Sequence, residues 1–126
     1  RLMPYLLGLA LGGSGLFYLA VAASEWTRVI LVFIFLSHAS SGINWVLSTT
    51  MLQERAADEW RGRVAGTDNL GITLTMGISA LAAGLVMEHD LLGLRELIAL
   101  TGLIQISVGL IWLVLASPHE RRFIAG

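Results

Sequence analysis

The sequence predicts an all-α integral membrane protein with four transmembrane helices. Of its 126 residues, 56% are hydrophobic and only 13% are charged, whereas a typical soluble domain has about 25% charged residues. The charges are also unevenly placed, since residues 2–24, 29–53, 69–87 and 97–119 contain no Asp, Glu, Lys or Arg. Each of these runs reaches the roughly 18 apolar residues that a helix needs to cross the hydrocarbon core of a bilayer.

Helices are favoured over transmembrane strands because the apolar runs are continuous. Barrel strands alternate apolar and polar residues over about 10 positions, and backbone groups in lipid must be satisfied within the segment. We predict helices at about 2–24, 29–53, 60–87 and 97–117, a cytoplasmic loop at about 54–63 and a cytoplasmic tail at 118–126, all in one transmembrane unit. The chain starts with Arg1, so we expect a piece of a longer protein.

The arginines predict the orientation of these segments. An even number of crossings places both termini and the central loop on one side, and the positive-inside rule makes that side the cytoplasm. The arginines on the predicted inner side are Arg1, Arg55, Arg61, Arg63, Arg121 and Arg122, and those on the outer side are Arg28 and Arg95.

Composition excludes several classes of function. The net charge is −1 and lysine is absent, so no basic surface is expected for nucleic acid. There is no cysteine, and the three histidines are far apart, so we expect neither a metal site nor a thiol nucleophile. No combination of nucleophile, base and orienting acid is evident. We therefore expect that the protein is not an enzyme and that it binds no cofactor.

The second segment contains a polar stripe at membrane depth. Within FLSHASSGINWVLSTT, hydroxyl and amide side chains recur at helical spacing, and His38 lies along the neighbouring edge. Polar residues inside a membrane usually face a water-filled cavity or another helix, and interhelical hydrogen bonding is the alternative explanation. The candidate cavity-lining or substrate-lining residues are Ser37, His38, Ser41, Asn44 and Ser48.

The other segments differ in character. The third is narrow because it contains Gly71, Gly77 and Gly84, and it is expected to pack closely against another helix. The first and fourth are rich in leucine, which suits contact with lipid. Before the third helix, Asp58 is expected to act as its N-cap. Asp68 lies near the membrane interface, where either an ion pair or a proton-coupling role is expected.

The central loop resembles a loop of the major facilitator superfamily, particularly of its drug and siderophore efflux branch. In that family, the loop between helices ten and eleven commonly has a leucine-glutamine pair, an acidic pair and Arg-Gly-Arg. The matching residues are Leu52, Gln53, Asp58, Glu59, Arg61, Gly62 and Arg63. Two departures are visible: Ala56 and Ala57 stand where the family often has proline before the acidic pair, and residues 77–79 (Gly-Ile-Ser) stand where it often has proline or Gly-Pro in helix eleven.

The resemblance implies that the four segments are helices nine to twelve, within the C-terminal six-helix half of a twelve-helix transporter. The second segment would then line the central cavity, and the first and fourth would lie outside. The implied function is export of a small amphipathic molecule by alternating access, coupled to protons, in a bacterial inner membrane. The implied partners are that substrate, protons, the lipid bilayer and the missing N-terminal helices of the same transporter.

Two other functions stay open. A structural or assembly subunit of a membrane complex would use the serines only as helix contacts. A small multidrug-resistance transporter also has four helices, but it needs a carboxylate in its first helix, and residues 2–24 contain none.

Overall fold

The part of the chain that the structure describes is all-helical and contains four long helices. The computed structural model describes residues 2–25 and 28–119. Its helices are α1 (Met3–Ala23), α2 (Val29–Arg55), α3 (Arg61–Glu88) and α4 (Leu94–Ile111), and α4 continues through a π-helical turn at Trp112–Ala116. All four are long and apolar enough to cross a membrane, which indicates a multi-pass membrane protein. Arg1, Trp26, Thr27 and residues 120–126, including most of the predicted tail, lie outside the described residues.

The helix ends differ from the expected ones where polar residues extend a helix beyond its apolar run. The turn between α2 and α3 is shorter than the predicted loop, since α2 continues to Arg55 and α3 begins at Arg61. The fourth helix begins at Leu94 instead of 97, after an extended Gly93 and with Glu96 in its first turn. A carboxylate there interacts favourably with the helix dipole, so the helix tolerates charges outside the apolar segment.

The turn after α3 depends on a left-handed residue. Asp90, just beyond the end of the helix, has a φ of 52°, a conformation that aspartate adopts more readily than most residues. This conformation lets the amide of Leu91 donate a hydrogen bond to the carbonyl of Val86 at 3.0 Å. The amide of Asp90 itself donates to the carbonyl of Met87 at 3.1 Å. These bonds satisfy carbonyls at the end of the helix, as is common at helix C-termini.

The first helix is the centre of the packed part of the chain. It packs against α4 on one side and α2 on the other, and its apolar window is the most buried of the four. The expectation that the leucine-rich first segment mainly contacts lipid is therefore incomplete. Its glycines give it a narrow surface, and a narrow helix allows two neighbours to approach closely.

Glycines bring the backbones of α1 and α4 together in an antiparallel pair. A Cβ built on Gly15 would lie 2.6 Å from the carbonyl oxygen of Gly102, and one built on Gly109 would lie 2.8 Å from the amide nitrogen of Gly12. Neither distance leaves room for a larger residue. Further along, the carbonyl of Pro4 accepts hydrogen bonds from Trp112 Nε1 at 2.8 Å and from the Ser117 hydroxyl at 3.1 Å.

The third helix is separate from this packed group. None of the residues in its apolar window is buried, and it makes only sparse contacts with the other described helices. A Cβ added at Gly71, Gly77 or Gly84 would have nothing within 4 Å. The close helix neighbour that the sequence predicts for this segment is thus not found among residues 2–25 and 28–119.

We predict that Gly15→Ala destabilises the protein by about 1–3 kcal/mol, because the new methyl group overpacks the contact with Gly102. Gly12→Ala is the matched control on the same helix, since its Cβ would meet nothing within 4 Å. Unfolding by sodium dodecyl sulfate in detergent micelles measures both variants. Equal loss of stability in the two would contradict the packing described above.

Candidate functional site

Ser37 lies in the contact between α1 and α2. Its side chain has no exposed surface, and its hydroxyl oxygen is 3.2 Å from that of Ser14 and 3.4 Å from the Ser14 carbonyl. Both serines are buried, so their hydroxyl groups satisfy each other away from water. In this structure Ser37 connects two helices.

The rest of the predicted stripe is more accessible. His38, Ser41 and Ser48 are exposed, and Asn44 is half-buried. Ser48 donates to the carbonyl of Trp45 at 3.0 Å, and Nδ1 of His38 lies 2.9 Å from the carbonyl oxygen of Ile34. Both bonds are made within α2, which leaves the outward sides of these groups open to a ligand, to water or to another helix.

We call the outward surface formed by His38, Ser41, Trp45 and Ser48 the polar face of α2. These residues fall within about 80° of arc on a helix that turns about 100° per residue. The indole of Trp45 is half-exposed and adds a flat apolar surface beside the hydroxyl groups. Hydroxyl, imidazole and indole groups together suit a small amphipathic molecule, because they combine hydrogen bonding with apolar contact.

The residues of the loop motif form an ordered turn. Asp58 Oδ1 accepts from Arg61 Nη2 at 2.8 Å, Trp60 Nε1 donates to Glu59 Oε1 at 3.1 Å, and the guanidinium of Arg63 lies 4.9 Å from the centre of the Trp60 ring. All five side chains are exposed. An exposed ion pair contributes about 1 kcal/mol or less, so these contacts orient the turn more than they stabilise the fold.

The prediction that Asp58 caps α3 is wrong. The N-cap position is occupied by Trp60, which makes no side-chain capping bond, and the Asp58 carboxylate pairs with Arg61 instead. A guanidinium three residues along the chain binds a carboxylate through a charge-assisted hydrogen bond. Gly62, the middle residue of the Arg-Gly-Arg motif, has open space around it.

Asp68 lies where the end of α2 faces the start of α3. It lines two hollows at this junction: an open groove of about 900 Å³ along α3 and a smaller cavity of about 80 Å³. The cavity is also lined by Trp45, Thr49 and Asn69. Asp68 is exposed, and within the described part of the chain it forms no ion pair.

Ser14, a polar partner of the stripe, was not among the residues predicted from the sequence. The available signal was its position in the run Gly13, Ser14, Gly15, because a serine between glycines is accessible to a closely packed neighbour. The bonds from Trp112 and Ser117 to Pro4 were not predicted either. These residues are more than 100 positions apart in the sequence, and no local pattern brings them together.

Comparisons with models of protein families, with curated proteins and with solved structures gave no match. The function is therefore inferred from the residues and their geometry.

Cysteine accessibility tests whether the polar face of α2 meets water. This chain has no native cysteine, so Ser41→Cys and Ser48→Cys each introduce one labelling site in it. We predict that both react with a membrane-impermeant thiol reagent when the protein is in a bilayer. Ser37→Cys is expected to stay unreactive, because Ser37 is buried against α1.

Phe35→Cys is the control for a lipid-facing position, since Phe35 is 69% exposed on an apolar part of α2. Labelling at Phe35 equal to that at Ser41 would show that the reagent does not discriminate between lipid-facing and water-facing positions. Unreactive cysteines at both Ser41 and Ser48 would place this face against lipid or another helix.

Proposed function

We propose that this chain forms helices nine to twelve of a secondary active transporter of the major facilitator type, which exports a small amphipathic molecule by alternating access in exchange for protons. One observation carries the proposal. The polar face of α2 lies in a helix long and apolar enough to cross the membrane, and His38, Ser41 and Ser48 on it are exposed. Exposed polar groups at that depth are unfavourable against lipid, so they need a cavity or further helices.

The unpacked third helix supports the proposal that further helices belong to the working protein. In a membrane, helices associate through van der Waals contact, and small residues let their backbones approach closely. The glycines of α3 offer such a surface, and a Cβ added at any of them would meet nothing within 4 Å in the described chain. We propose that the N-terminal helices of the transporter pack there, beside the cavity.

The turn between α2 and α3 suits the cytoplasmic side of the membrane. Arg61 and Arg63 lie at the start of α3, where guanidinium groups interact with headgroups and acidic side chains. Placing this turn in the cytoplasm, with both termini, follows the arginine distribution. The membrane we propose is the bacterial inner membrane.

In this proposal, the polar face of α2 forms one wall of the substrate site. The hydroxyl groups of Ser41 and Ser48 and the amide of Asn44 would hydrogen-bond a polar group of the substrate, and the ring of Trp45 would contact its apolar part. Ser37 would have a different role, since its bonds to Ser14 hold α2 against α1. Alternating access then requires this wall to face each side of the membrane in turn.

A second candidate is a structural subunit of a membrane complex, and the buried pair Ser14 and Ser37 favours it. That pair shows that a serine of the stripe can serve helix packing alone. Such a subunit would bind its partners through α3 and the polar face of α2. A small multidrug-resistance transporter is less well supported, because α1 contains no carboxylate.

Transport by the full-length protein in membrane vesicles tests the proposal. With a panel of amphipathic dyes that includes ethidium, Ser41→Ala and Asn44→Ala are each expected to weaken apparent affinity by about two-fold to ten-fold, since one hydrogen bond contributes about 0.5–1.5 kcal/mol. His38→Ala is expected to reduce transport driven by a pH gradient. All variants are compared at equal amounts of inserted protein.

Ser40→Ala is the matched control, because it removes the same hydroxyl group one residue away. Ser40 is directed towards α1, with its oxygen 3.8 Å from a Cβ built on Gly13. We expect it to transport like the unmodified protein. Normal transport by the Ser41, Asn44 and His38 variants alike would show that the polar face of α2 is not part of the substrate site, and absence of transport by the unmodified protein would favour the subunit.

A further inference from the structure

The end of α4 is wound differently from the rest of the helix. Residues Trp112–Ala116 form a π-helical turn, and the amide of Ser117 donates to the carbonyl of Trp112, five residues earlier. An α-helix would pair that amide with the carbonyl four residues earlier. Single π-helical turns inside α-helices are rare, and they occur frequently at functional sites.

The sequence supplies a local cause for this turn, because Pro118 follows it directly. Proline has no amide hydrogen, so it cannot donate to the carbonyl four residues earlier, which is that of Val114. In a regular α-helix the proline ring would also clash with that carbonyl. A change in helix geometry beside a proline is the usual result.

The turn brings two side chains to one carbonyl of α1. The oxygen of Pro4 accepts hydrogen bonds from Trp112 Nε1 at 2.8 Å and from the Ser117 hydroxyl at 3.1 Å. In an α-helix, residues five apart point about 140° away from each other around the axis. In a π-helical turn, hydrogen bonds join residues five apart, which therefore lie above one another. Only the π-helical geometry lets both side chains reach Pro4.

This end of the helix pair is held by side chains, in contrast to the backbone contact further along. A Cβ built on Gly109 would lie 2.8 Å from the amide nitrogen of Gly12, whereas one built on Gly8 would lie 2.6 Å from Cγ of Leu113. Side chains can turn away without disturbing the glycine contact. On the outward side, Val114 is 68% exposed, which leaves room for the turn to change its winding.

We propose that Trp112, Ser117 and the carbonyl of Pro4 form a conformational latch between α4 and α1. In the latched state, the turn is π-helical and both side chains donate to Pro4. In the released state, the turn takes α-helical hydrogen bonds, Ser117 points away from α1, and only Trp112 still donates to Pro4. The latch goes beyond the proposed function and does not depend on it, since it concerns the motion of this chain alone.

The two states exchange one hydrogen bond for another. After release, the hydroxyl of Ser117 can donate to the carbonyl of Leu113, four residues earlier, as serines in helices commonly do. The released state therefore leaves no buried hydroxyl without a partner. The remaining difference is the clash between Pro118 and the carbonyl of Val114, so Pro118 sets the balance between the two states.

Pro118→Ala tests the latch in lipid bilayers or detergent micelles. Pro118 is exposed, so this change removes little packing, and alanine restores the missing donor. The matched control is Val114→Ala, which changes an exposed side chain of the same turn and keeps Pro118. Two measurements are made: relaxation dispersion of the nitrogen signal of the Trp112 indole, and unfolding by sodium dodecyl sulfate. The indole signal is assigned as the one absent from Trp112→Phe.

We expect the Trp112 signal of the unmodified protein to exchange between two environments in microseconds to milliseconds, the range of such helix motions. Pro118→Ala should abolish this exchange, because the released state then dominates, and Val114→Ala should keep it.

Unfolding measures the bond of Ser117 in each background. Ser117→Ala is expected to raise the unfolding equilibrium constant of the unmodified protein about two-fold to ten-fold, as the loss of one hydrogen bond does. In the Pro118→Ala background, the same change should have less than half of that effect, because Ser117 has already left Pro4.

Three results would overturn the latch. A Trp112 signal without exchange in the unmodified protein shows that the turn is static. Exchange that persists in Pro118→Ala, or that disappears in Val114→Ala, shows that Pro118 does not control it. An equal effect of Ser117→Ala in both backgrounds shows that the winding of the turn does not determine whether Ser117 reaches Pro4. The first measurement uses the unmodified protein, so it stands even where a variant folds poorly.

Discussion

The close approach of α1 and α4 is the constraint on which the rest of the structure depends. A Cβ added at Gly15 or Gly102 would clash with the backbone of the other, and one added at Gly109 would clash with the backbone of Gly12. Lipid provides little hydrophobic force to bring helices together, so contact between backbones supplies much of the attraction. This contact makes α1 the central helix and leaves its opposite side for α2.

The placement of α2 against α1 divides the polar stripe. Ser37 is used for the contact, where it bonds to Ser14, and His38, Ser41 and Ser48 remain exposed. The division follows from geometry, because a helix packed on one side can bury only part of an arc of polar residues. The packed group of three helices therefore presents a polar surface at membrane depth, and the proposed function rests on that surface.

The third helix has a different relation to the group. It follows α2 after a turn of residues 56–60, and its junction with α2 encloses the small cavity next to Asp68. None of the residues in its apolar window is buried. A helix held at one end and unpacked along its length is suited to form an interface with other helices, as the proposed transporter requires.

The sequence by itself determined the helical class, the number of membrane-length segments and their approximate bounds, because uncharged runs of this length have one stable form in lipid. It also located the polar residues of α2, because their spacing is a local property of the helix. The sequence also left open two local uses of Asp58, and the structure shows the pair with Arg61 instead of a cap on α3. Only the tertiary structure decided that Ser37 bonds to Ser14. The tertiary structure also decided that α1 is the central helix. Its close backbone contact with α4 joins Gly15 and Gly102, which are far apart in the chain. Local periodicity contains no information about which helices meet.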